Sequence, residues 1–222
     1  MIEIHKILVL GTLILLTIYS CSDRKYKVEK LYKSGKLESR IIYKSKMDTE
    51  NYYAEYYREN GTLICKGSKV NDEKNGKWQY RNELNIITSV ENFCNGLLCD
   101  TQIVYHSDGK LDRYKILDNP IPCFCDTQLH YGFTQIAYYK NGNLKEINHI
   151  INCDFNGIVK LYDSITGRLY QEHYEINNMK NGSYIYYNPD SSKIIGTYNN
   201  DKECGKWKHV KGDSLIEKWE YK

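Results

Sequence analysis

The stretch YYKNGNL, at residues 138–144, joins an aromatic strand end to a short polar turn with glycine and then to a leucine. The same order returns four times, as LYKSGKL at 31–37, YYRENGTL at 56–63, VYHSDGKL at 104–111 and LYDSITGRL at 161–169. Asn-Gly pairs accept the positive φ angles of tight hairpin turns, and alternating aromatic and polar residues suit strands. The repeated stretch therefore predicts successive β-hairpins.

A second element alternates with the first, as NGKWQY at 75–80, NGIV at 156–159, NGSYIY at 181–186 and CGKW at 204–207. Six Asn-Gly dipeptides are predicted as hairpin turns, at 60–61, 75–76, 95–96, 141–142, 156–157 and 181–182. The run 81–92 lacks the turn glycine and is predicted to be a drifted unit. Because a single hairpin is marginal in water, neighbouring units must stack. We expect an all-β fold, in which antiparallel β-hairpins of roughly 20–25 residues form an elongated meandering sheet.

The composition agrees with strands and excludes one class of partner. The chain has 22 tyrosines beside only four phenylalanines and three prolines, and tyrosine suits a half-buried strand surface. Lysine and arginine number 31 against 28 acidic residues, with the two signs interspersed. No basic stripe of the kind that binds nucleic acid is present, so we expect no nucleic-acid partner.

The first thirty residues have the pattern of an export signal. Residues 7–19 are apolar, shorter than a membrane-spanning helix, and are followed by Ser20 and Cys21. The stretch IYSC at 18–21 resembles a bacterial lipobox. The resemblance implies that residues 1–20 are a signal-peptide helix, that Cys21 is lipidated, and that residues 21–30 are a tether. We expect a cell-envelope protein anchored in the bacterial membrane, and Ser22 favours the outer membrane under one sorting rule.

Three further segments complete the predicted organisation. Residues 31–111 form a first hairpin array and residues 132–222 a second one. Between them, residues 112–131 drop the repeat, and NPIPCFC at 119–125 reads as an extended loop because proline disrupts a central strand. The two arrays are either one continuous sheet or two sub-arrays.

The cysteines offer a disulfide and a weaker metal alternative. Cys94 and Cys99 flank the Asn-Gly turn at 95–96 and are the candidate disulfide. Cys123 and Cys125 are weak candidate metal ligands, with His130 or Cys153 as a third, because no second Cys pair matches them. We expect no metal and no cofactor.

Aromatic residues supply the candidate binding surface. Trp78 and Trp207 follow equivalent glycines and are predicted to be core. Exposed tyrosines are the better surface candidates, and they are Tyr52, Tyr53, Tyr56 and Tyr57. No sequence pattern of a nucleophile with its base, a zinc protease or a phosphate loop occurs, so the chain is predicted not to be an enzyme.

The stretches 75–80 and 138–144 resemble the MORN-repeat-variant family, whose members are often labelled YwqK-type antitoxin components. The resemblance covers residues 31–111 and 132–215, and implies a β-hairpin repeat that binds proteins or lipids, with no active site. The predicted function is a lipid-anchored envelope protein whose surface contacts an unknown protein, or a lipid or glycan. The alternatives are an antitoxin or immunity-like protein that neutralises a toxin, and a Cys-centred metal protein or enzyme.

Overall fold

The computed structural model describes residues 8–9, 12–17, 25–118 and 132–221, with the backbone alone for residues 8–9 and 12–17. The chain divides into two compact units, Met1–Gly109 and Lys110–Lys222. All regular elements in the described residues are strands, so the all-β prediction is confirmed. Unit 1 contains β1 (Leu8–Val9), β2 (Thr12–Thr17), β3 (Tyr26–Leu31), β4 (Leu37–Tyr43), β5 (Asn51–Tyr57), β6 (Leu63–Val70), β7 (Glu73–Arg81), β8 (Ile87–Cys94) and β9 (Leu97–Tyr105).

Unit 2 contains β10 (Leu111–Leu117), β11 (Gly132–Tyr138), β12 (Leu144–Ile151), β13 (Asp154–Phe155), β14 (Gly157–Tyr162), β15 (Leu169–Ile176), β16 (Met179–Tyr187), β17 (Ser192–Asn199), β18 (Lys202–Lys211) and β19 (Ser214–Tyr221). Within each unit, successive strands pair antiparallel, except that β12 pairs with both β13 and β14. Each unit is therefore a meander of hairpins, as the repeats predict.

One kind of turn is a two-residue loop in which both residues have positive φ, the pattern of a type I′ hairpin turn. This backbone favours Asn, Asp and Gly, whose small or polar side chains tolerate the left-handed region. The five pairs are Asn71–Asp72, Asn95–Gly96, Asn152–Cys153, Asn177–Asn178 and Asn200–Asp201.

The other kind of turn is longer and carries the glycine of the repeated stretches. In the first copy, the Gly35 amide donates to the Tyr32 carbonyl at 2.9 Å. Asn85, with φ 62°, takes the glycine position in the run 81–92, and its amide donates to the Asn82 carbonyl at 3.0 Å. The drifted unit therefore keeps its turn, because asparagine tolerates the same backbone angle.

Three of the six Asn-Gly dipeptides are not turns, contrary to the prediction. Those at 75–76 and 181–182 lie inside β7 and β16, next to shifts of register opposite Gly67 and His173. The third, at 156–157, interrupts the strand between β13 and β14. A bulge needs the same positive φ as a tight turn, so the dipeptide alone cannot separate the two.

A bulge turns one tryptophan in each unit onto a glycine of the neighbouring strand. The bulge at 75–76 precedes Trp78, and another shift of register, between Ile195 and Thr197, lies opposite the stretch that contains Trp207. Trp78 in β7 faces Gly67, and Trp207 in β18 lies over Gly196. A Cβ on Gly67 would come 2.5 Å from the Trp78 ring, and one on Gly196 would come 2.0 Å from the Trp207 ring. Both indoles are buried, with 1% and 3% exposed surface, which confirms that they are core residues.

Three boundaries differ from the predicted organisation. Residues 26–30 of the predicted tether belong to β3, and residues 112–117 of the predicted loop belong to β10. Residues 26–29 alternate between apolar and polar side chains, and both segments find an antiparallel partner strand. Within the predicted signal-peptide helix, residues 8–9 and 12–17 are strands instead. A short apolar run fits either element, and the backbone of β3 offers it hydrogen-bond partners.

Candidate functional site

The four predicted surface tyrosines lie on β5 but do not share a face. Side chains alternate along a strand, so Tyr52 and Tyr56 point to one side and Tyr53 and Tyr57 to the other. All four are half-buried, and Ala54 between them is fully buried. They therefore cannot act as one continuous surface.

Two of these tyrosines are occupied by packing and hydrogen bonds. The ring of Tyr56 stacks on Trp78 with 6.4 Å between the ring centroids. The Tyr57 hydroxyl donates to Glu55 Oε2 at 2.6 Å, and Arg40 Nη1 donates to the Tyr57 hydroxyl at 3.3 Å. Burial and the Glu55 carboxylate raise the pKa of Tyr57 to about 12. Both residues contribute to the sheet rather than to an open site.

The other two tyrosines line a cleft of about 440 Å³ at the ends of strands in unit 1. We call it the tyrosine–lysine cleft, after six of its lining residues, Lys25, Tyr43, Lys44, Tyr52, Tyr53 and Lys69. Tyr43, Tyr52 and Lys69 pair directly and point to one side of the sheet, whereas Tyr53 points to the other side. Three of these residues are lysines, of which Lys69 also forms an ion pair with Asp72 at 3.5 Å. No carboxylate is among the lining residues of the cleft in the part of the chain that the structure describes. The arrangement combines aromatic faces with ammonium groups, which suits ligands that carry an anionic group.

Hydrogen bonds and stacking orient the residues on the side of the sheet where Tyr43 and Tyr52 lie. The Tyr43 and Tyr52 rings lie 5.3 Å apart between centroids, and Lys69 Nζ is 5.9 Å from the centre of the Tyr52 ring. The Tyr52 hydroxyl donates to the Asp72 carboxylate. Burial, and then the hydrogen bond to Asp72, raise the pKa of Tyr52. Burial also raises the pKa of Tyr43, so both phenols stay protonated at neutral pH.

The predicted disulfide is present. Cys94 and Cys99 are joined across the hairpin that turns at residues 95–96, with 5.8 Å between their Cα atoms. Cross-linking two strands at a tight turn restricts the unfolded chain in this region. Its role is therefore to hold the hairpin of β8 and β9.

The remaining cysteines do not assemble a metal site in the described residues. Cys153 is bonded in a disulfide, which removes its thiolate from the candidate ligand set. Cys65 and Cys204 are free thiols, and burial raises the pKa of Cys65. No group of three or more potential ligands occurs among residues 25–118 and 132–221. Four predicted positions lie outside the described residues, namely Cys21, Cys123, Cys125 and His130.

A serine and a histidine that the sequence did not single out meet in unit 2. Ser192 Oγ lies 2.9 Å from His209 Nε2 and donates to Asp190 Oδ1 at 2.6 Å. The carboxylate thus contacts the serine and not the histidine, unlike the order in a catalytic triad. Ser192 is only 1% exposed, and the side-chain amide of Asn188 also donates to Ser192 Oγ at 2.9 Å.

The same contacts recur in a turn that has no histidine. In unit 1, Asn60 Oδ1 accepts from the Thr62 amide at 2.9 Å and from the Thr62 hydroxyl at 2.7 Å. Asp190 accepts from the Ser192 amide and hydroxyl in the same way. A repeated arrangement argues for turn stabilisation, so we assign these residues to structure.

Comparisons with known proteins provide no functional precedent. No protein-family model and no curated protein matches the chain. Among solved structures, a match to the "Crystal Structure of TcdB2-TccC3-Cdc42" has 11% identity and a TM-score of 0.24. It covers 89% of this chain and 14% of the matched chain, and a similarity at that level carries no argument. The described part of the chain has no helix with the length and hydrophobicity that a membrane crossing requires.

Proposed function

We propose that the chain is a non-catalytic interaction module of the cell envelope, held to the bacterial outer membrane through lipidated Cys21. The β-repeat presents the tyrosine–lysine cleft to a partner that carries anionic groups. The observation that carries the proposal is the cleft itself, where Lys25, Lys44 and Tyr53 are lining residues and no carboxylate is among the lining residues that the structure describes. Anionic lipid headgroups are the first partner to test, because juxtamembrane lysines attract them.

The position of Lys25 supports this partner. Lys25 lines the cleft and lies only four residues after Cys21 in the sequence. Four residues of extended chain span at most roughly 14 Å. Acylation of Cys21 would therefore keep the cleft within reach of the membrane surface.

Fractionation of cells tests the membrane anchor. We expect the wild-type protein in the membrane fraction, with an acylated mature N-terminus by mass spectrometry. Cys21→Ala should remain unprocessed, because the acylated thiol is lost. A soluble and uncleaved wild-type protein would contradict the anchor.

Photo-cross-linking tests the cleft. Wild-type protein in nanodiscs that contain a photoreactive phosphatidylglycerol should be labelled at residues 43–53, and discs of phosphatidylcholine should give little labelling. Lys25→Gln with Lys44→Gln should lower the labelling about thirtyfold, since each of the two lysines contributes about 1 kcal/mol near an anionic surface. The matched control is Lys202→Gln with Lys208→Gln, two exposed lysines of unit 2. Equal labelling in both double variants would rule out headgroup binding by this cleft.

A further inference from the structure

The longer turns of the repeat are tied to one another by hydrogen bonds. In four of these turns, the first residue donates from its side chain to a carbonyl near the next turn along the sheet. In unit 1, the Tyr32 hydroxyl donates to the Tyr57 carbonyl at 2.6 Å, and Arg58 Nη2 donates to the Arg81 carbonyl at 2.7 Å. Asn82 Nδ2 continues the series by donating to the Ser107 carbonyl at 3.3 Å.

Unit 2 begins the same series and then breaks it. The Tyr139 hydroxyl donates to the Tyr162 carbonyl at 3.1 Å. The next turn starts with Asp163, whose carboxylate cannot donate and instead accepts from the Ile165 and Thr166 amides and the Thr166 hydroxyl. Within the described residues, no hydrogen bond joins this turn to the one at residues 188–192.

A cleft of about 600 Å³ opens where the tie is missing. Its aromatic wall contains Tyr170 and Tyr186, whose rings meet edge to face at 6.1 Å between centroids. Lys193 Nζ lies 5.3 Å from the centre of the Tyr187 ring, and this pair points to the other side of β16 from Tyr186. The volume falls within the range of small-ligand sites.

Two cations, Arg168 and Lys193, and one carboxylate, that of Asp163, are among the lining residues of this cleft that the structure describes. Arg168 is exposed and makes no side-chain hydrogen bond or ion pair among the described residues. Asp163 is the one carboxylate among the lining side chains that the structure describes, and hydrogen bonds within its own turn occupy Oδ1. Arg168 is therefore available to bind a carboxylate with two parallel hydrogen bonds.

We propose that this cleft binds an oligosaccharide that carries a carboxylate. Tyrosine rings stack against the apolar faces of sugar rings, and the Tyr186 and Ser191 hydroxyls can bind sugar hydroxyls. Arg168 binds the sugar carboxylate. An extended peptide is the less suitable occupant, because the turn amides of Asp163 and Asn188 already bond within their own turns and offer no free strand edge.

This inference does not rest on the function proposed above. The tyrosine–lysine cleft lies in unit 1 and the present cleft lies wholly in unit 2. A failure of either test leaves the other unaffected.

Titration calorimetry of the purified full chain with trigalacturonic acid tests the proposal. We expect saturable binding, and a loss of about tenfold or more in affinity for the methyl-esterified trisaccharide, which keeps the shape and removes the charge. Arg168→Gln should weaken binding of the acid by a similar factor and leave binding of the ester unchanged.

The control variant is Lys36→Gln. Lys36 is an exposed cation that occupies, in the turn at 32–36, the position that Arg168 occupies in the turn at 163–168. In both turns, the carbonyl of this residue accepts from the backbone amide of the first turn residue, Tyr32 or Asp163. It lies beside the intact tie between Tyr32 and Tyr57, so its removal should leave the affinity unchanged. No saturable binding, equal affinity for acid and ester, or tighter binding of a glutamate-rich peptide would each overturn the proposal.

Discussion

Unit 1 and unit 2 bury a tryptophan in the same way but join their turns differently. Trp78 covers Gly67 and Trp207 covers Gly196, each after a bulge in its strand. At the strand ends, Arg58 ties one turn of unit 1 to the next, whereas its counterpart in unit 2 is Asp163. Both units share the packing of a tryptophan on a glycine, because almost no residue larger than glycine fits beneath the buried indole ring.

The turns are less constrained, because their side chains reach solvent. Exchange of a donor for an acceptor at the first turn position removes the tie without disturbing the turn, since Asp163 stabilises its own backbone. A repeat can therefore gain a cleft by one substitution at its surface. The units differ most where substitution costs the least folding free energy.

The largest expected effect comes from filling the two glycine positions. Gly67→Ala and Gly196→Ala place a methyl group 2.5 Å and 2.0 Å from an indole ring that is buried and cannot easily move. We expect each change to lower the free energy of unfolding by about 3 kcal/mol, the upper range for overpacking. Urea denaturation followed by tryptophan fluorescence measures the loss.

Ser183→Ala is the control for this pair. Ser183 is exposed on β16, so its replacement should change the stability by less than about 0.5 kcal/mol. If Gly67→Ala or Gly196→Ala changed the free energy of unfolding as little as Ser183→Ala, the close packing of tryptophan on glycine would not constrain the two units.

A smaller effect should separate the two arginines. Arg58 donates to the carbonyls of Leu63, Arg81 and Asn82, whereas Arg168 has no such partner among the described residues. Arg58→Gln should therefore lower the free energy of unfolding by about 1.5 kcal/mol. Arg168→Gln should leave it within about 0.5 kcal/mol of the wild type. Equal losses, measured by the same urea titration, would mean that the turns of the two units do not differ in energy.

Much of the fold follows from local signals in the sequence. The turn stretches, the Trp78 and Trp207 core and the Cys94–Cys99 bridge are visible because each depends on residues close together in the chain. The sequence does not predict the bulges, because Asn-Gly suits a bulge and a turn equally well.

The clefts could not be predicted in the same way. The sequence singles out Tyr52 and Tyr53, but Lys25, Lys44 and Lys69 come near them only through the pairing of β3, β4, β5 and β6. The cleft beside Arg168 depends on a missing contact between turns about 25 residues apart. The one local sign of it is Asp163, an acceptor where Arg58 and Asn82 are donors.

The smallest expected effect concerns pH. The acceptors inside two turns of unit 2 are the carboxylates of Asp163 and Asp190, whereas Asn60 and Asn82 fill that role in unit 1. Hydrogen bonds from Thr166 lower the pKa of Asp163 below its usual value of 3.8. Hydrogen bonds from Ser192, and then from Lys211, lower the pKa of Asp190.

A lowered pKa in the folded protein means that the ionised carboxylate favours folding. That contribution is complete above the unfolded pKa of about 4, and it is lost as the pH falls toward the folded value. Asp163→Asn with Asp190→Asn should therefore flatten the fall in the urea midpoint between about pH 5 and about pH 3. A residual slope should remain, because the pKa values of Glu29 and Asp72 are also lowered.

The converse change tests the same comparison from unit 1. Asn60→Asp would give a turn of unit 1 the acceptor that Asp190 provides in unit 2, with the Thr62 amide and hydroxyl as its donors. It should steepen the acid dependence of the urea midpoint, because a titrating group replaces a neutral amide in the same position. If all three proteins gave parallel curves, the turn carboxylates would not couple to folding, and the acid sensitivity would have to come from elsewhere in the chain.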